Sequence, residues 1–259
     1  MLGALIGDLV GSAYEFNPIK HKDFEPFIHP QASFTDDSVL TVAVADALLN
    51  DRDLATSLKD WGRRYPDAGY GVRFARWLHS DETAPYGSYG NGAAMRCAPA
   101  AWLARSLDEA LRLAQHTAAV THDHPEGIKG AQTTVLAIWL ARQGLAADSI
   151  RTILARFSGY DLTPSVDELR PDYRFDETCQ GTVPAALICA LEAEDFEDAL
   201  RNAVSLGGDA DTLAAIAGSV AEALFGIPQP LRSEALGRLP GEMLQVVESL
   251  YAATRPAQG

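Results

Sequence analysis

Small and apolar residues recur along this chain in steps of three and four. That spacing predicts helices over 2–13, 39–49, 54–63, 72–79, 93–104, 107–120, 126–142, 149–157, 178–192, 196–206 and 213–224. One or two more helices carry the chain to about residue 253, and 255–259 reads as a disordered tail. Pro and Gly punctuate three long loops, 17–33, 81–91 and 159–177. No run alternates with period two and carries a β-branched bias, so no strand is predicted. About a dozen alanine-rich helices give an all-α globule, because small residues at contacts let helices cross closely. In the first helix Gly3, Gly7 and Gly11 recur every fourth residue and share one face. Glycine weakens a helix, so this face should serve a close approach. No linker divides the chain, and 1–259 reads as a single domain.

The 259 residues are 47% hydrophobic and 22% charged, as in ordinary globular proteins. The balance of 35 acidic against 21 basic residues gives a net charge of −14, with no Lys/Arg run. Such a surface disfavours nucleic acid and anionic membranes as partners. Three cysteines, Cys97, Cys179 and Cys189, form no C-x-x-C and no even framework, which fits a reducing compartment. The apolar start lacks a basic residue and is interrupted by Asp8, so it does not read as a signal peptide. No apolar run has the length of a membrane span. These features together predict a cytoplasmic protein.

Two acidic stretches open helices. One is Phe34-Thr35-Asp36-Asp37-Ser38; the other is Gly207-Gly208-Asp209-Ala210-Asp211-Thr212. Either alone reads as a helix cap, since Asp, Ser and Thr accept from the free N–H groups of a first turn. Capping needs one oxygen, however, and here four carboxylates stand beside two threonines. Asp209 and Asp211 are two apart and cannot share a helix face. An all-oxygen set without Cys or His selects hard cations, Mg²⁺ or Mn²⁺. Four carboxylates suit two such ions, which about 4 Å apart can activate water and hold substrate oxygens.

The stretch Gly87-Ser88-Tyr89-Gly90-Asn91-Gly92 runs into a helix and can present N–H groups to an anion. Alone it is also a plain Asn/Gly-capped turn; beside the acidic clusters it favours phosphate. No Lys-Ser/Thr follows, so it is not a nucleotide-hydrolysing P-loop. His122 and His124 have no Cys or further His beside them and read as hydrogen-bonding loop residues. Glu15 lies between Tyr14 and Phe16. A carboxylate in apolar surroundings has the raised pKa that an acid or base needs, but a surface glutamate flanked by core aromatics fits equally.

These segments occur in one order: Gly7-Asp8 to Glu15, the Asp36-Asp37 cluster, Gly87 to Arg96, Thr121-His122-Asp123-His124-Pro125, and Gly208 to Thr212. In that order they resemble the ADP-ribosylglycohydrolase family. The resemblance implies a compact all-α fold with two Mg²⁺ or Mn²⁺ ions. It makes Thr35, Asp36, Asp37, Asp209, Asp211 and Thr212 the metal ligands. It sets Gly87, Ser88, Tyr89, Gly90 and Asn91 against the diphosphate and nearby ribose, with His122 lining the cleft. Asp36, Asp37 and Glu15 would serve catalysis, Glu15 corresponding to a glutamate that gates the site. The form Gly11-Ser12-Ala13-Tyr14-Glu15 is closer to the branch cleaving O-linked ADP-ribose than to the arginine-specific branch.

The resulting expectation is a metal-dependent hydrolase that frees ADP-ribose from an ADP-ribosylated protein, a small molecule or a base. Either Glu15 or a metal-activated hydroxide would be the base. The alternatives are a two-metal phosphohydrolase on a nucleotide diphosphate and an ADP-ribose binder without turnover. All six ligand positions, intact, and Glu15 speak against the binder.

Overall fold

The computed structural model describes residues 1–254; the tail expected at 255–259 lies outside them. Fifteen helices follow one another among the described residues. They are α1 (Leu2–Gly11), α2 (Asp36–Leu49), α3 (Leu54–Arg64), α4 (Val72–His79), α5 (Gly92–Met95), α6 (Ala98–Leu103), α7 (Leu107–Ala119) and α8 (Pro125–Arg142). Then come α9 (Ala147–Ser158), α10 (Val166–Leu169), α11 (Cys179–Glu192), α12 (Phe196–Ser205), α13 (Ala210–Phe225), α14 (Gln229–Arg238) and α15 (Gly241–Thr254). The described residues contain no strand; Gly90 and Thr178 form an isolated antiparallel bridge. All three cysteines are buried and free. Among the described residues no helix is long and apolar enough to cross a membrane.

Two expectations need correction. The helix foreseen over 93–104 is split between α5 and α6. Pro99 sits in the first turn of α6. In one continuous helix its ring would meet the carbonyl of Met95, four residues back, so the chain breaks between them. The loop over 159–177 holds the short α10, opened by a reciprocal capping box between Ser165 and Glu168.

The glycine face of α1 has the close approach that its sequence demands. A Cβ on Gly7 would lie 2.0 Å from the Ala214 carbonyl oxygen, and one on Gly3 2.1 Å from that of Gly218. At Gly11 the obstacle is the Ala210 oxygen at 2.3 Å. Helix α1 is thus packed backbone to backbone on α13, and the N-terminal end of α13 is held beside the C-terminal end of α1. Gly7→Ala is therefore expected to destabilise by about 3 kcal/mol, the upper end of overpacking, because the obstacle is main chain. Urea unfolding reads this directly; an unchanged midpoint would mean that the helices separate freely.

Candidate active site

The turn into α13 is made by Gly207 and Gly208, both left-handed at φ 67° and 81°, where a side chain is strained. It delivers Asp209 as the N-cap, but the Asp209 carboxylate makes no capping bond. Instead its Oδ2 accepts from Asn91 Nδ2 at 2.7 Å. The first cluster does cap: the Thr35 hydroxyl accepts from Asp37 N–H at 3.3 Å. The two clusters meet across 175 residues of sequence, where the Thr212 hydroxyl donates to Asp37 Oδ2 at 3.1 Å. The Thr35 hydroxyl also lies 3.5 Å from Asp211 Oδ2.

The tightest acidic group differs from the one that spacing suggested. Glu15, Asp209 and Asp211 each bring an oxygen within 4.8 Å of the others. Asp36 and Asp37 line the same cavity of about 470 Å³ but stand outside that trio. Burial pushes the Glu15 carboxyl up to about 7, with the charges of Asp211 and Asp8 adding to the shift. Burial, then Asp211, likewise raises Asp36, Asp37 and Asp209 well above the carboxylate range. No Lys or Arg pairs with any of them among the described residues. Asp37 Oδ1 is buried without a hydrogen-bond partner. A crowd of buried carboxylates with an orphaned oxygen and no ion-pair partner fits hard divalent cations, and the donor set is oxygen throughout.

One acid that the spacing did not single out as a site residue supports this cluster. Asp8, wholly buried on α1, accepts at Oδ2 from Thr35 N–H at 2.8 Å and from Ser38 N–H at 3.0 Å. Its Oδ1 accepts from the Thr35 hydroxyl at 2.8 Å, and Ser38 Oγ donates to Oδ2. Asp8 therefore fixes the start of α2 and aims Thr35. The available signal was a single acid inside an otherwise apolar helix.

The glycine-rich loop lines the same cavity, with His122 behind it. Most of its N–H groups are already engaged. Gly87 N–H donates to Asp123 Oδ1 at 2.7 Å, and Asn91 N–H to the Glu177 carbonyl at 2.7 Å. Ser88 N–H reaches the Thr121 carbonyl at 3.3 Å, and Gly90 N–H the Ser88 hydroxyl at 3.2 Å. Among the described residues, Tyr89 and Gly92 keep N–H groups without a protein partner. Asn91 spends its amide donors on Asp209 and Thr182, linking the loop to the acids. His124 takes the ordinary role read for it, capping α8 by accepting from Glu126 N–H at 3.1 Å. Arg96 is a further residue without a role in the sequence reading: fully buried, it still borders the cavity.

Known proteins resemble this chain along most of its length. The chain is 27% identical to the human "ADP-ribosylhydrolase ARH3", over 88% of this chain and 85% of that protein. It is 29% identical to the Pseudomonas putida "ADP-ribosylarginine hydrolase Tri1", over 88% of this chain and 70% of that one. To the Rhodospirillum rubrum "ADP-ribosyl-[dinitrogen reductase] glycohydrolase" it is also 29% identical, over 97% and 94%. A solved "ADP-ribosylglycohydrolase-related protein complex" superposes with a TM-score of 0.74 at 27% identity, covering 98% of this chain and 96% of the other. The profile of the ADP-ribosylglycohydrolase family matches residues 1–259, and the chain belongs to that family.

Proposed function

We propose that the protein hydrolyses the glycosidic bond joining ADP-ribose to an acceptor, using two Mg²⁺ or Mn²⁺ ions held by Thr35, Asp36, Asp37, Asp209, Asp211 and Thr212. The observation that carries this reading is the meeting of five carboxylates in one cavity that the glycine-rich loop also lines. When bound, the cations supply charge neutralisation and Lewis acidity. The water oxygen bonds to C1 of the distal ribose as the bond from C1 to the acceptor breaks, through an oxocarbenium-like centre. Glu15 takes a proton from that water and passes it to the departing acceptor, which leaves protonated and restores the carboxylate. Without cations that carboxyl is held near 7 by burial and by the charges of Asp211 and Asp8; cations beside it would lower it and leave it ionised, able to take the proton. Tyr89 and Gly92 N–H groups and His122 receive the diphosphate side.

The direct test is a panel of arginine-linked, serine-linked and other O-linked ADP-ribose, with Mg²⁺ or Mn²⁺, and products identified by mass. Free ADP-ribose from any linkage supports the reading. AMP as product would favour a phosphohydrolase, and binding without turnover would favour a binder.

The loop assignment has its own test. A Cβ at Gly90 would sit 3.3 Å from Ser88 Oγ and 3.4 Å from the Glu177 carbonyl oxygen, so a branched Val side chain crowds the loop. Gly90→Val is expected to weaken ADP-ribose by about tenfold to a hundredfold, from the usual overpacking cost. Wild-type affinity by calorimetry would remove the loop from the binding site.

A further inference from the structure

Arg96 has the largest fully buried side chain in the protein, and no carboxylate pairs with it among the described residues. Its Nη2 donates to the Thr121 hydroxyl at 2.7 Å and to the Thr117 carbonyl at 3.2 Å. Nε and Nη1 have no partner. Burying a guanidinium on such terms is costly, which asks what it does there. The Thr121 hydroxyl lies 2.7 Å from His122 Nδ1.

We propose that Arg96 and Thr121 are positioning residues that fix the tautomer of His122, leaving Nδ1 bare and Nε2–H directed at the cleft as a standing hydrogen-bond donor. A guanidinium only donates, so Thr121 Oγ must accept from it. The one hydroxyl hydrogen then remains for Nδ1. The Arg96 charge lies on the Nδ1 side of the ring, where it favours the lone pair over an N–H dipole. Burial first, then the charges of Arg96 and Arg73, hold the ring's pKa well below its usual value, so the imidazole is neutral. Tyr86 stands beside the same threonine, and burial keeps its phenol protonated despite Arg96. It can therefore donate to Thr121 without claiming the hydroxyl hydrogen.

The other end of the ring is free. Nε2 makes no hydrogen bond within the described residues. A Cβ on Gly92 would be 3.2 Å from it and one on Gly90 3.6 Å, so this part of the loop leaves room for the ring. A neutral donor fixed at that place suits an oxygen acceptor such as a diphosphate oxygen. Only this ligand half rests on the function proposed above.

The test separates the two. Long-range ¹H–¹⁵N correlation spectra of full-length protein, with and without Mg²⁺, distinguish imidazole tautomers without any nucleotide. Wild type should show His122 as the Nε2–H form. Thr121→Val, nearly isosteric but without a donor, should give a mixture or the Nδ1–H form. Thr121→Ser should restore the wild-type spectrum. ADP-ribose affinity should fall about three- to tenfold in Thr121→Val and stay within about twofold in Thr121→Ser, the worth of one hydrogen bond. A merely structural role for Thr121 would not move the tautomer. An Nδ1–H form in wild type, or an unchanged tautomer in Thr121→Val, overturns the proposal. If Thr121→Val does not fold, the wild-type and Thr121→Ser spectra still decide it. Wild type with the Nε2–H form but no ADP-ribose binding would support the relay and defeat the function proposed above.

Discussion

Chelating divalent cations at about pH 7.5 is expected to lower the protein's stability by several kcal/mol, and acidifying the chelated protein to about pH 5 is expected to return part of it. Asp8 carries the clearest share. Burial, then the Asp211 charge, lifts its carboxyl from 3.8 to about 7, while hydrogen bonds from Ser38 and Thr35 oppose the shift. Glu15 rises from 4.5 to about 7 by burial and the Asp211 and Asp8 charges. Both are ionised near pH 4 when unfolded and near 7 when folded, so between those values the folded state holds more protons. The metal-free protein therefore loses stability as pH rises from about 4 to about 7 and regains none above. For buried Asp8 the ionised form costs the folded state on the order of 4 kcal/mol. A cation at about a hundred times its Kd adds about 2.7 kcal/mol back at neutral pH, and loaded protein should have a flatter pH profile. Thermal unfolding from pH 4 to 8, with chelator or Mn²⁺, reads all of this. Chelated protein that grows more stable from pH 5 to pH 7 would contradict the whole account of the acidic cluster.

The largest effect on turnover is expected from Glu15→Gln. Glutamine keeps the shape and reach of the side chain and cannot take a proton from water. Loss of a general base costs roughly 10²–10⁴ in rate. ADP-ribose affinity should stay near wild type, because on the proposed reading the loop, His122 and the cations carry the binding. Glu15 also stands in the trio with Asp209 and Asp211, so the assay belongs at saturating Mg²⁺ or Mn²⁺. Removing one negative charge from that trio should raise the stability of the chelated protein even as turnover falls. Unchanged single-turnover rates would take Glu15 out of the chemistry.

Helices were legible wherever apolar residues kept a helical period, which is why α2, α3, α4 and α8 lie where the pattern put them to within a few residues. The break at Arg96-Cys97 escaped because the apolar pattern runs through it, and only Pro99 announced it. Helix α10 was hidden by its brevity, although Ser165 and Glu168 spell out its capping box. Spacing could show that the acids were too many for capping. It could not show that Asp8 orients Thr35 and Ser38, because that link joins residues 27 and 30 apart in the chain. The glycine loop gives the same lesson in reverse. Its sequence displays six residues able to offer N–H groups, and its partners Asp123, Thr121 and Glu177, all distant in sequence, claim several of them.

The backbone contact of α1 with α13 bears on how the protein is made. A ribosome emits the Asp36-Asp37 cluster early and the Asp209-Asp211 cluster some 175 residues later. Until α13 emerges, the glycine face of α1 has no surface to lie on and the early acids have no counterpart. Closing so long a loop is slow relative to local helix formation. The middle of the chain can therefore collapse first, while the acidic cavity waits for its two sequence-distant walls. On the proposed reading, acquisition of metal is thus a late event in the life of each nascent chain, and a chain halted before residue 209 carries half a cavity with no means of completing it.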